Sequence, residues 1–189
     1  MSYRDKYFTM TQLFTETARH HSNSISRANP NWRNDSVYAF YKSNGEVLTL
    51  AELVNSLNPQ SVLDFGCGNG LALPSIAGVN AKGYDPFVDE FSTWEPAVYD
   101  LIVSHFAILH VEDQFFSDTI KMLRNACGKN FVATFALTKH IPHRDTEWYI
   151  NHLKSHFTID DQYTSAPIEW TDSNNVTTTK QIVTIWCSV

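Results

Sequence analysis

Ser61-Val62-Leu63-Asp64-Phe65-Gly66-Cys67-Gly68-Asn69-Gly70-Leu71 is the stretch from which the rest of the chain can be read. Ser61 to Phe65 has the pattern of a short buried strand, and it runs straight into a turn where Gly66, Gly68 and Gly70 alternate with other residues. Glycine alone permits both a positive φ and close approach of the main chain to a ligand. A strand feeding such a turn and then a helix is the nucleotide-binding corner of a doubly wound α/β sheet. A dinucleotide fingerprint, G-x-G-x-x-G from Gly66, would need its third glycine where Leu71 stands. The pattern present is D-x-G-x-G-x-G, from Asp64 to Gly70. A tight turn without a ligand is the plainer alternative, but it has no use for three alternating glycines behind an acidic strand end.

Outward from this corner the elements follow in α/β order. Upstream, Leu50, Leu53, Val54 and Leu57 recur at helical spacing, Thr49 and Glu52 make a capping box, and Asn58-Pro59 stops the helix before the strand. Downstream, Leu71 to Ala77 is expected to form a helix with Pro74 near its start, followed by a strand at Asn80–Tyr84. Tyr99 to Ser104 is a near-continuous apolar run, as a buried parallel strand requires. An amphipathic helix from Gln114 to Asn125, closing near Gly128, and a strand from Phe131 to Ala136 come next. A polar loop, Leu137 to Arg144, leads to a helix over Glu147–Phe157 and a strand over Thr158–Tyr163. The β-branched Val176–Val189 then closes the chain after a turn at Asp172–Asn175. Residues 1–35 are polar and mixed, with a helix expected over 11–26; His20 and His21 are adjacent and so do not share a helix face.

The motif Asp64–Gly70, with Gly83-Tyr84-Asp85-Pro86 and Tyr99-Asp100-Leu101-Ile102-Val103-Ser104-His105 to Asp113, resembles the class I S-adenosylmethionine-dependent methyltransferases. The resemblance covers residues 45–189 and is motif-specific at 61–70, 83–86 and 99–111. It implies a three-layer α/β/α fold: a Rossmann-like, doubly wound sheet of mostly parallel strands, finished by a C-terminal antiparallel hairpin. It divides the chain into an N-terminal capping segment, 1–45, and a methyltransferase-like domain, 46–189. The implied cofactor is S-adenosylmethionine, held by Asp64, Gly66, Cys67, Gly68, Gly70, Asp85, Pro86, Ser104 and His105. In this family N-terminal segments lie across the cofactor or shape the substrate pocket, which makes Tyr38 and Tyr41 pocket candidates beside a simple packing role. Leu109 stands where the family pattern often has Glu. The stretch 86–98 has no room for a full helix, third strand and adenine contact; Phe87, Phe91 and Trp94 are left to build that pocket.

The residues support the same roles independently. Glycines give the adenosine a shelf without side chains, and Asp64 offers an acceptor to a cationic group. Asp85 lies about 20 positions beyond the glycine run, where a carboxylate can accept from ribose hydroxyls; a turn-starting Asp before Pro is the alternative. Cys67 inside the loop also reads as a small packed residue. Ligands of open α/β sheets sit outside the carboxyl ends of the strands. Ser104, His105, Leu137, Lys139 and His140 fall there. A base is needed only if the methyl acceptor must lose a proton; His105 is the first candidate, with His140 or His143 next, each weighed against a packed or solvated histidine.

Bulk properties narrow the partners. A chain of 189 residues with 43% hydrophobic and 13% aromatic content suits one domain with a sizeable core. A net charge of −6 does not favour nucleic acid. Cys67, Cys127 and Cys187 are odd in number and widely spaced, which suits neither a disulfide framework nor a metal site. With no apolar leader or spanning run, a cytoplasmic location away from membranes is expected. No Asp/Asn-Pro-Pro-Tyr motif or Pro-Cys pair follows the strand at 99, so a small-molecule acceptor is the expectation by elimination. Two other classes stay open: a non-catalytic adenosylmethionine-binding regulatory or assembly domain, and a Rossmann oxidoreductase, which Leu71 disfavours.

Overall fold

The computed structural model describes residues 38–137, 144–171 and 177–189. The expected helix over 11–26, the histidine pair at 20–21, the loop residues Lys139, His140 and His143, and the turn at 172–175 lie outside the described residues.

Two short strands, β1 (Phe40–Tyr41) and β2 (Val47–Leu48), pair antiparallel ahead of helix α1 (Leu50–Leu57). Thr49 caps that helix as its sequence requires: its side chain accepts from the Glu52 amide, and the Glu52 carboxylate accepts from the Thr49 amide at 2.8 Å. The remaining strands are β3 (Ser61–Phe65), β4 (Asn80–Tyr84), β5 (Tyr99–His105), β6 (Cys127–Leu137), β7 (Thr158–Thr164), β8 (Ile168–Thr171) and β9 (Thr177–Ser188). They make one sheet in the order β4-β3-β5-β6-β9-β7, with β8 also paired to β9. β3, β4, β5 and β6 are parallel, and β9 runs antiparallel to β6, β7 and β8. From β3 the chain goes to one side for β4 and to the other for β5, so the strand order reverses at the end of β3. That reversal opens the crevice in which such sheets take ligands.

Helices cover both faces. On one, α2 (Asp113–Ala126) and α3 (Thr146–Lys154) bury Phe116, Ile120, Leu123, Tyr149 and Leu153 against Leu63, Ile102, Phe131 and Ile185. On the other, α1 buries Leu50, Leu53 and Val54 against Val62, Leu101, Val103 and Val132. The layers are those expected of a three-layer α/β/α fold.

Two connections depart from regular α/β structure. The helix expected over Leu71–Ala77 is a single 3-10 turn, Leu73–Ile76, closed by Ala77 N–H donating to the Pro74 carbonyl. The main chain turns off there, since the Val79 amide donates to the Ile76 carbonyl and β4 begins at Asn80, which leaves no residues for further turns; Pro74, in the first turn, is tolerated and is not the stop. Residues 86–98 contain one 3-10 turn, Asp89–Phe91, and no strand. β4 is therefore the edge of the sheet, and of the two arrangements open for this stretch the chain takes the loop. The loop folds back over β4: Asp85 N–H donates to the Phe91 carbonyl, and Trp94 stands edge-on to Tyr84 with ring centroids 5.2 Å apart.

Candidate active site

The glycine turn is bolted to the neighbouring strand. Gly66, Gly68 and Gly70 have φ of +84°, +59° and +70°, the left-handed region that a side chain resists. The amides of Gly66 and Cys67 both donate to the Tyr84 carbonyl, at 2.7 and 3.2 Å. Asp85 completes the attachment: its Oδ2 accepts from Gly68 N–H and its Oδ1 from Phe87 N–H, each at 3.0 Å. Cys67 is buried, and its Sγ fills the notch left by Gly83, 2.6 Å from where a Cβ on that glycine would be. The Phe91 ring lies against both Gly70 and Gly83. Pro86 is buried between Asp85 and Phe87.

Asp64, near the end of β3, is buried and accepts a 2.7 Å hydrogen bond from the Tyr38 hydroxyl. Residues 38–41 run across the sheet like a strap, fastened to one strand after another. Tyr38 stacks on His105 of β5, centroids 4.7 Å apart and 22° between planes. His105 Nε2 accepts from Ala39 N–H at 3.3 Å, and Thr134 Oγ1 of β6 donates to the Ala39 carbonyl at 3.2 Å. On β9, Thr184 Oγ1 accepts from Tyr41 N–H at 3.3 Å and Trp186 Nε1 donates to the Tyr41 carbonyl at 2.8 Å. Strand register explains the row: His105 stands opposite Thr134, and Thr134 opposite Thr184, whose hydroxyl is 2.9 Å from its own.

The end of β5 is shaped by strain and by one hydroxyl. Ser104 Oγ accepts from Ile108 N–H at 3.2 Å, starting the 3-10 turn Ile108–His110. Between them Phe106 has φ +54°, held there by its N–H donating to the Thr134 carbonyl at 2.7 Å. With Nε2 accepting the Ala39 amide, a neutral His105 carries its proton on Nδ1. Beyond the turn, buried Arg144 donates to the carbonyls of Leu109 (3.1 Å) and Val111 (2.6 Å) and pairs with Asp113. Leu109, in the place of the family's Glu, is a core residue.

The sites read from sequence thus converge in part. Asp64, Gly66, Cys67, Gly68, Gly70, Asp85, Pro86, Ser104 and His105 all lie at the carboxyl ends of β3, β4 and β5 or in the turns that follow. His140 lies outside the described residues. Sequence reading missed the hydroxyl row of Thr134 and Thr184, because its signal is strand register, which a single sequence does not state. It also missed the strain at Phe106, for which an aromatic residue gives no cue. A groove of about 230 Å³ lies along the β4 edge, walled by Leu63, Leu73, Tyr84, Phe91, Trp94 and Tyr99. It occupies the place where the shortened 86–98 stretch has left the edge strand without a neighbour.

A family model described as a methyltransferase domain matches residues 38–162. Among solved structures, the fold is similar to magnesium protoporphyrin IX methyltransferase from Synechocystis PCC 6803, solved with bound SAM. That match has 14% identity and a TM-score of 0.55, and covers 92% of this chain and 95% of that one. It is also similar to TehB from Haemophilus influenzae, at 15% identity and a TM-score of 0.54, over 72% of this chain and 59% of that one. No curated protein matches the sequence.

Proposed function

The chain belongs to the methyltransferase domain family, the adenosylmethionine-dependent class I enzymes that its motifs resemble, and we propose that it methylates a small-molecule acceptor at the carboxyl ends of β3, β4 and β5. The observation that carries this reading is the donor set. Two buried carboxylates, Asp64 and Asp85, flank a bare glycine turn, and no Lys or Arg occurs in residues 38–41, 61–70, 83–88 or 103–108. A site for pyrophosphate gains from cationic partners or a helix N-terminus aimed at the anion. Here the helix after the turn is one 3-10 turn, and the fixed charges are negative. Such a site suits a nucleoside that carries positive charge and no phosphate, so the residues fit adenosylmethionine.

When bound, that cofactor supplies a methyl group already activated on a sulfonium. The chain's part is then binding, alignment and exclusion of water. Asp64 accepts from the methionyl ammonium. Asp85, which has lone pairs beyond the two that hold Gly68 and Phe87, accepts from ribose hydroxyls. Gly66, Cys67, Gly68 and Gly70 present main chain to the adenosine. Pro86 and Ser104 wall the site, Phe87, Phe91 and Trp94 give adenine an apolar surface, and the described part of the N-terminal segment, residues 38–45, acts as its cap. His105 holds the strap through Nε2. An acceptor that must lose a proton gives it to His140, or to His105 once the Ala39 amide releases Nε2, because Nδ1 already carries the proton. A net charge of −6 and the absence of Lys and Arg from those four segments favour a small acceptor over nucleic acid. No helix among the described residues is long and apolar enough to cross a membrane.

Calorimetric titration with adenosylmethionine and adenosylhomocysteine, with NAD as control, tests the reading. Micromolar binding of both sulfur ligands and none of NAD is the expected result. Binding without turnover on metabolite or nucleic-acid pools would favour a regulatory or assembly role instead. No binding of either sulfur ligand would overturn the proposal.

A further inference from the structure

We infer that Tyr38 is a positioning residue of the donor site, acting through Asp64 and so fixing how the methionyl end of the cofactor is received. The inference rests on the proposed function. Its basis is a buried pair: a phenol with 2% of its surface exposed donating at 2.7 Å to a carboxylate with none. A hydrogen bond to the charged form of a buried carboxylate favours ionisation and selects one orientation of its oxygens. An ionised, oriented Asp64 is what an ammonium group requires.

The phenol is itself held on every side. Its ring lies flat on His105, and the next residue is tied to His105 Nε2 and to Thr134. Two residues on, the strap is tied again at Thr184 and Trp186. These fastenings span β5, β6 and β9, and Tyr38 adds a hydrogen bond to β3, the strand that ends in the glycine turn. Packing alone does not call for the hydroxyl. Phe40, on the same strap and fully buried, packs edge-on to the same His105 ring without one. The hydroxyl also leaves room for a ligand, since an ionised carboxylate has about four acceptor positions.

The test compares three ligands on Tyr38→Phe, which keeps the ring. Adenosylmethionine and adenosylhomocysteine both carry the methionyl ammonium; 5′-methylthioadenosine shares the nucleoside and lacks it. Calorimetry should show both ammonium ligands bound about tenfold more weakly by the variant, with methylthioadenosine affinity unchanged. On an Asp64→Asn background, Tyr38→Phe should add no further loss. Unchanged affinity for all three ligands, or an equal loss for all three, overturns the inference and leaves Tyr38 a packing residue. Additive losses in the double variant overturn it as well. An unsubstituted chain that binds neither sulfur ligand fails at the earlier step, and the proposed function falls instead.

Discussion

The Gly68 amide donates to Asp85 Oδ2 at 3.0 Å, so the carboxylate proposed for the ribose is also the clamp of the glycine turn. One side chain thus couples the shape of the turn to the end of β4. Asp85→Ala removes the acceptor from the amides of Gly68 and Phe87, at about 1–3 kcal/mol for a buried donor left unsatisfied. The variant should melt lower and lose adenosylmethionine binding in calorimetry. Asp85→Asn, which keeps one acceptor oxygen, should recover part of the stability. Full affinity in the alanine variant would refute the ribose role.

Cys67 and Gly83 form a second coupled pair. A Cβ on Gly83 would stand 2.6 Å from Cys67 Sγ and 3.1 Å from Leu73 and Phe91, with no unusual backbone angle to add to the strain. Gly83→Ala should therefore destabilise by overpacking, about 1–3 kcal/mol, and Cys67→Ala should restore most of the loss by clearing the nearest atom. Urea denaturation of the two single variants and the double variant reads the coupling directly. Strict additivity would mean that the thiol does not fill the notch.

Alkaline stability should follow the two buried thiols at one end of the sheet's antiparallel seam, where the start of β6 meets the end of β9. Burial pushes Cys127 up to about 11 and Cys187 up to about 12, from an ordinary value of 9.0. A raised folded value favours the protonated form, so the contribution is complete below the unfolded value and is lost as pH rises toward the folded ones. The urea midpoint should hold up to about pH 8.5 and fall progressively above it. Burial raises Tyr84 as well, which extends the fall at higher pH. Cys127→Ala with Cys187→Ala should flatten the curve between pH 9 and 11, relative to each protein's own stability at neutral pH, with 9 and 11 taken as the ordinary and the lower folded value.

Much of the fold is legible because its signals are local. The capping box at Thr49 and Glu52, the apolar run at Tyr99–Ser104 and the glycine turn each state their own structure. The expected helix over Leu71–Ala77 failed because apolar spacing says nothing about how little chain separates Gly70 from β4. In the site, Asp64, Asp85 and the glycines announce themselves by spacing. Tyr38 does not, because the partner that gives it meaning is brought near by the strap's path over three strands. His105 is the instructive case. Its position at a strand end was readable, but the atom facing Ala39 was not, and that contact occupies Nε2 and leaves the proton on Nδ1.

Arg144 should prove as important to stability as any apolar core residue. Its guanidinium, 4% exposed, donates to the Leu109 and Val111 carbonyls and to Asp113, and lies over the Trp148 ring, 4.7 Å from its centroid. The two carbonyls belong to the stretch between β5 and α2, so one side chain ties the loop that leaves the site to the start of α3. Removing it strands two buried acceptors, a loss of about 3 kcal/mol, while Asp113, half exposed, is rehydrated. Arg144→Lys should rescue little, because an ammonium is a point donor and cannot reach three acceptors in a planar fork while stacking on an indole. Chemical denaturation followed by tryptophan fluorescence checks this. A lysine variant within about 0.5 kcal/mol of the parent, the range of an ordinary surface change, would show that charge alone holds the turn.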